Sequence, residues 1–356
     1  MHDRSGDDET GPQHHAGFEL ITSLGSRPSP ARVRPPERGT VRVGAVQTSW
    51  HADDAEHLAC LAAGIELAAR AGAQLVCLQE LTLSPYFAMV PDGPRALGVQ
   101  PEPLPGGPTH RFAAEQAARH GVVVHASLYE ANASAAAAAP GEAELGFNTA
   151  IAVAPDGELL ASTRKLHLPV TAGYYEDRYF APGDTGYPVA DVGPARVGLP
   201  TCWDQWFSEP PRAYSLAGAD LLVYPTAIGS EPDHPSFDTR PLWQQVIVGN
   251  GIANGLTMVA VNRIGTERAA DLSGAEGGTD TAITFYGSSF ISDPYGRVLV
   301  QAPRDGDAVL VADVDLDARR DWLELFPLLA TRRPDTYGPL TELAPATGGP
   351  GTQTNG

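Results

Sequence analysis

The chain has 356 residues, 43 of them acidic and 24 basic, for a formal charge of −19 at neutral pH. With 42% apolar and 19% charged residues it can build a sizeable core, which excludes disorder throughout. The negative excess disfavours nucleic acid and anionic membrane as partners and leaves small cationic molecules as the better class.

The first 40 residues are polar and dotted with proline, as in Ser26-Arg27-Pro28-Ser29-Pro30 and Arg34-Pro35-Pro36. Such a segment buries too little apolar surface to offset the entropy of ordering it. This predicts a flexible arm over 1–40, with the apolar patch Phe18 to Leu24 as its docking point. The start lacks the basic-then-apolar order of a secretion signal, and no apolar run approaches the ~18–20 residues that cross a bilayer. A cytoplasmic protein is expected.

From Val41 the chain alternates between two periodicities. Val41 to Val46 reads as a short strand. Residues 54–71 place Leu58, Leu61, Ile65 and Ala69 at helical spacing, with Asp53 as cap. Gln74 to Leu78 is a continuous apolar run of the fully buried strand type. A helix near 108–119 precedes the strand Val122 to Leu128, and Ala131 to Glu144 reads as an inserted surface loop. Two hairpins follow from turn chemistry, Ala150 to Val153 closing at Pro155-Asp156-Gly157 and Phe290 to Ser292 closing at Asp293 to Gly296. Between them lie the strand Arg196 to Leu199, a helix near 209–218, the strand Leu221 to Tyr224, a helix near 240–253 and the strand Thr257 to Val261. The pattern is that of one α/β domain over 41–340 with both sheet faces covered, followed by a flexible tail over 341–356.

Cys60, Cys77 and Cys202 are too few for a disulfide framework and form no metal knuckle, so no metal is expected. Three polar residues fall where strands end: Glu80, Lys165 just past the first hairpin, and Cys202 between a strand and a helix. In an open α/β sheet these ends converge on ligands. A thiol with an ordinary pKa near ~8.5 needs a base, which a carboxylate supplies, and an ammonium stabilises the oxyanion that forms next. Taken singly each residue is unremarkable: Cys60 and Cys77 read as small buried hydrophobes, and His167 as loop support.

Several strings occur together in order: Gln79-Glu80-Leu81, Ser127-Leu128-Tyr129-Glu130, Phe147-Asn148-Thr149, Arg164-Lys165-Leu166-His167-Leu168-Pro169 and Cys202-Trp203-Asp204. By these the chain resembles the nitrilase (carbon–nitrogen hydrolase) superfamily over about Val41 to Leu340. The resemblance implies a four-layer αββα sandwich, a Glu-Lys-Cys catalytic set, no cofactor, and a homo-oligomer. Further strings, Pro182 to Gly186, Tyr224 to Pro232, Asn262-Arg263-Ile264-Gly265 and Ile283 to Gly287, are similar to the branch that acts on N-carbamoylputrescine, a cationic ureido compound. By that resemblance Cys202 is the nucleophile, Glu80 the general base, Lys165 the oxyanion stabiliser and Glu130 a second carboxylate orienting the lysine. Trp203 and Tyr174 are expected to wall the pocket, Thr226 to line it, and Glu231 to meet the far ammonium. Another ureido or amide substrate, such as an N-carbamoyl-β-amino acid, is the alternative, and a non-catalytic binding protein of the same fold a further one. Pro200, two residues before Cys202, is expected to leave a bulge or a missing ladder bond beside the nucleophile.

Overall fold

A computed structural model of the protein describes residues 13–15, 17–133, 145–273 and 281–342. Two sheets face each other. The first runs in the order Gln13–His15, Phe18–Ser23, Ala308–Asp315, Thr40–Gln47, Leu75–Cys77, Val123–Glu130, Phe147–Val153 and Leu159–Arg164. The second runs Val189–Val192, Ala195–Gly198, Leu221–Pro225, Thr257–Val261, Phe290–Ser292 and Val298–Gln301.

The period of two along each strand decides what lies where. Val43, Ala45, Leu75, Cys77, Val197, Leu221, Val223 and Val259 point into the layer between the sheets. Their neighbours Val46, Val76 and Val124 point outward and are covered with Leu61, Ile65 and Ala68 of the helix Asp54–Arg70 and Phe112 of the helix Pro108–His120. On the far side, Leu222, Tyr224, Met258 and Ala260 pack with Tyr214 of the helix Glu209–Leu216 and with Trp243 and Ile247 of the helix Arg240–Asn254. The result is the four-layer αββα sandwich. Asp53 caps its helix as its position suggests, accepting from the Glu56 N–H at 2.8 Å.

Two expectations need correction. Residues 17–40 are not a free arm. Phe18–Ser23 adds a parallel strand beside Ala308–Asp315, and Phe18 is 1% exposed under the helix Asp54–Arg70. Downstream, Arg32 pairs with Asp315 at 2.6 Å and Asp321 at 2.8 Å, and Arg38 with Asp220 at 2.6 Å. Composition undervalued this segment because its anchors are a sheet edge and ion pairs with distant residues. Pro200, in turn, costs no ladder bond: the strand Ala195–Gly198 pairs through Val197 and Gly198 and ends before it. The prolines at 210 and 211 sit in the first turn of their helix, where a missing N–H is tolerated. Residues 134–144, most of the loop expected as an insertion, and the tail from 343 lie outside the described residues, as do 1–12 of the arm.

Candidate active site

Glu80 follows the strand Leu75–Cys77, Lys165 follows Leu159–Arg164, and Cys202 opens the one-turn 3-10 helix Cys202–Trp206. Leu81, next to Glu80, has φ 50°, and Cys202 itself has φ 40°. Left-handed backbone at a side-chain-bearing residue costs ~1–3 kcal/mol and persists where the surroundings enforce it, most often at functional sites. The turn after the lysine is braced by close backbone approach. Gly183 donates to the Lys165 carbonyl at 2.8 Å, and a Cβ there would overlap the Arg164 carbonyl.

The three side chains converge. The Lys165 ammonium donates to Glu80 Oε1 at 2.9 Å and to both oxygens of Glu176, at 2.8 and 2.7 Å, and all three groups are buried. Asn148 donates to the same Glu80 oxygen at 2.7 Å, and the Tyr86 hydroxyl to Glu176 Oε1 at 2.9 Å. The other Glu80 oxygen, Oε2, is buried and has no hydrogen-bond partner among the described residues. An unsatisfied buried carboxylate oxygen is costly, and it is what a general base must keep open.

The electrostatics follow from one cation facing two dry carboxylates. Burial opposes the charge on Lys165, but Glu176, Glu80 and Cys202 outweigh it and hold the ammonium above its ordinary pKa. Burial, against the pull of Lys165 and with Glu80 adding to the rise, leaves Glu176 at about 7. The Cys202 thiol is pushed well above its usual value by burial and then by Glu80, against the pull of Lys165. The resting sulfur is therefore a thiol, and it becomes a nucleophile only when a neighbour takes its proton.

Cys202 lines a cavity of about 80 Å³ with Pro169, Tyr174, Glu176, Trp203, Trp206, Ala227, Ile228 and Glu231. A larger open groove, about 590 Å³, lies between 235–239 and Arg304 but contains none of Glu80, Lys165 or Cys202. Of the two, the smaller is the one lined by Cys202 and by Glu176, the partner of Lys165.

The sequence pattern of the carbon–nitrogen hydrolase family matches residues 42–324, most of the chain and all of these groups. The chain belongs to the carbon–nitrogen hydrolase family. Among its relatives, the N-carbamoylputrescine amidase of Solanum lycopersicum is 37% identical over 85% of this chain and 95% of its own. The citrullinase of Francisella tularensis is 34% identical over 83% of this chain and 96% of its own. The crystal structure of a carbon–nitrogen hydrolase from Helicobacter pylori G27 superposes with a TM-score of 0.72 at 30% identity, covering 85% of this chain and 99% of that one.

Within this carbon–nitrogen hydrolase the residues expected at the site divide. Tyr174, Trp203 and Glu231 line the cavity with Cys202. Glu231 accepts from Thr239 at 3.3 Å, has no ion pair among the described residues, and is pushed up by burial. Two assignments are corrected. Glu130 does not orient Lys165: its carboxylate takes Arg164 at 2.6 and 3.1 Å and Thr149 at 2.6 Å, while the lysine's second carboxylate is Glu176. Strand alternation explains this, since Arg164 and Lys165 are adjacent and point to opposite sides. Thr226 is fully buried with its hydroxyl on the Val261 carbonyl at 2.8 Å, holding adjacent strands together at their ends rather than facing the cavity. His167 serves its loop: Asp204, two residues beyond Cys202, accepts from the His167 N–H at 2.9 Å and from Nδ1 at 2.8 Å, tying the lysine turn to the cysteine turn.

Sequence reasoning missed Glu176, Asn148 and Tyr86. Asn148 lay inside a string already singled out, and Glu176 stands eleven residues past the lysine across the hairpin Val170–Thr171 and Tyr174–Tyr175. Nothing local separates that carboxylate from its many acidic neighbours.

Proposed function

We propose that this hydrolase is a thiol amidohydrolase that converts N-carbamoylputrescine to putrescine, carbon dioxide and ammonia in cytoplasmic polyamine synthesis. Glu80 takes the Cys202 proton, and the sulfur attacks the ureido carbon. Lys165 and the Trp203 backbone N–H face the tetrahedral oxyanion. Glu80 returns the proton to the departing amine, leaving a carbamoyl thioester. Water then cleaves the thioester, releasing carbamate, which breaks down to carbon dioxide and ammonia. Glu176 holds the ammonium of Lys165 in place.

The observation that carries the substrate reading is Glu231, a carboxylate with no ion pair among the described residues, lining the same small cavity as the sulfur together with Tyr174, Trp203 and Trp206. A bound ammonium would fill that vacancy, and Tyr174 and Trp203 would pack a methylene chain. The cavity lining includes no Lys or Arg to receive a carboxylate, which argues against N-carbamoyl-β-amino acids and against the α-carboxylate of citrulline.

Ammonia release measured on N-carbamoylputrescine, butylurea, citrulline and N-carbamoyl-β-alanine tests this, with the cation expected to be preferred. In Glu231→Gln, KM for the cation is expected to rise ~10- to 100-fold while butylurea is unaffected, since only the half-buried charge pair is lost. A preference for an anionic compound, or an unchanged KM in Glu231→Gln, would overturn the assignment.

The same reading includes self-association. Leu216 and Leu242, on the two helices beside the nucleophile turn, and Phe326 near the end of the described chain are 46–49% exposed, a cost that an identical partner would relieve. Sedimentation is expected to show a dimer or larger species, and a monomer at micromolar concentration would refute it.

A further inference from the structure

The segment that carries Glu80 is held from two sides, by the neighbouring strand of its own sheet and by a side chain from the other sheet. After Leu75–Cys77 the chain passes through Leu81 at φ 50° and keeps separate bonds to the strand Val123–Glu130, from the Leu78 N–H to the His125 carbonyl at 3.0 Å, the Leu81 N–H to Ser127 Oγ at 3.1 Å and the Thr82 N–H to the Ser127 carbonyl at 2.8 Å, none of which falls on Glu80 itself. Arg263, just past the strand Thr257–Val261, supplies the hold at Glu80 itself. Its Nε and Nη2 donate to the Glu80 carbonyl at 3.3 and 2.9 Å, and Nη2 is shared with the carbonyls of Leu81 at 2.8 Å and Ser84 at 2.5 Å. Nη1 donates to Glu267 at 2.7 Å, and the second oxygen of Glu267 accepts from the Tyr86 N–H at 2.6 Å.

This arrangement is expensive. Arg263 is fully buried, and a charge in the interior persists only where its donors are met. Here one carboxylate and three carbonyls of a single turn meet them, in a fan that a planar guanidinium can span and an ammonium cannot. The turn held in this way begins with Glu80 and ends with Tyr86, whose hydroxyl holds Glu176. Both carboxylates that grip Lys165 are therefore referred to one guanidinium, which itself does not line the cavity of Cys202.

We propose that Arg263, aimed by Glu267, is a positioning residue for the reaction: it sets the Glu80 carboxylate at its working distance from Cys202. The proposal rests on the reading of Glu80 as the base. Displacement of a reacting group by about 1 Å costs ~10²-fold in rate, so a loosened turn should slow chemistry without weakening substrate binding.

The test is Arg263→Lys, which keeps the charge and removes the fork. Enzyme concentration is set by titrating covalent adduct on Cys202, so that misfolded material does not count, and Glu80→Gln runs in parallel. The expected result is a kcat lower by ~10²-fold with KM within about threefold of wild type, a split that loss of stability alone does not produce. A folded Arg263→Lys enzyme with wild-type kcat, beside a Glu80→Gln slowed by ~10²-fold or more, would overturn the proposal and leave the reading of Glu80 standing. A fully active Glu80→Gln would instead remove the base reading. Should Arg263→Lys fail to fold, Glu267→Gln takes its place: it leaves the guanidinium and removes the carboxylate that aims it. A fall in kcat of ~10-fold or more at constant KM is then expected, and an unchanged kcat overturns the proposal.

Discussion

Cys202→Ala is expected to bring ammonia release down to the uncatalysed background, and Glu80→Gln to leave a folded enzyme slower by ~10²–10⁴-fold. The two variants remove different things. Alanine takes away the atom that carries the carbamoyl group, so no covalent route is left. Glutamine keeps an oxygen for Asn148 and Lys165, which both donate to Oε1, and removes the acidity of the partnerless Oε2. The thiol in Glu80→Gln stays buried, and burial is the largest cause that raises it, so the residual rate should climb with pH as hydroxide substitutes for the missing base. Steady-state ammonia release combined with intact-mass detection of the carbamoyl adduct checks both variants. Turnover above background in Cys202→Ala would remove the thioester mechanism, and a Glu80→Gln enzyme with wild-type kcat would remove Glu80 from it.

What the sequence made legible was whatever periodicity and order encode. Strands such as Thr257–Val261 and helices such as Asp54–Arg70 and Arg240–Asn254 are local patterns with caps, and they fall where apolar spacing puts them. Cys202, Glu80 and Lys165 were findable because strings around them recur in fixed order along the chain. The roles of the residues that hold them were not, even for Asn148 and Arg263, which lie inside such strings. Glu176, Asn148, Tyr86 and Arg263 act through contacts that span 11 to 183 residues, and a lone carboxylate or arginine has no local mark of being buried. Glu130 was misplaced for the same reason: it sits at the end of Val123–Glu130, near the lysine in sequence pattern, but its side chain meets Arg164. The segment after the apolar patch misled in the opposite direction: Phe18 docks within the stretch Phe18 to Leu24 expected to do so, but Arg32 acquires its value only from Asp315 and Asp321, 283 and 289 residues away.

Lys165→Met is expected to cost both rate and stability, and the stability loss is expected to depend on pH. Removing one oxyanion donor lowers kcat by ~10²–10³-fold. The larger structural effect is that Glu80 and Glu176 then share a dry site with no cation between them, and breaking a buried ion pair costs ~3–5 kcal/mol. Already in the wild type Glu176 is pushed up to about 7, above the ordinary glutamate value of ~4.3. The folded protein thus holds a proton that the unfolded chain releases, and stability from this group falls as pH rises between those two values. Lys165 works the other way: its pKa is raised on folding, so its contribution is complete below ~10.4 and is lost only above it. Without the lysine Glu176 loses the cation that pulls it back and is pushed up further, the folded state takes on more protons, and the downward slope steepens. The gap between wild type and Lys165→Met should therefore be small near pH ~5 and widen towards pH ~8, as urea denaturation across that range would report. A gap that stays constant over the whole range would mean that Lys165 contributes packing alone, and that the two glutamates do not share its charge.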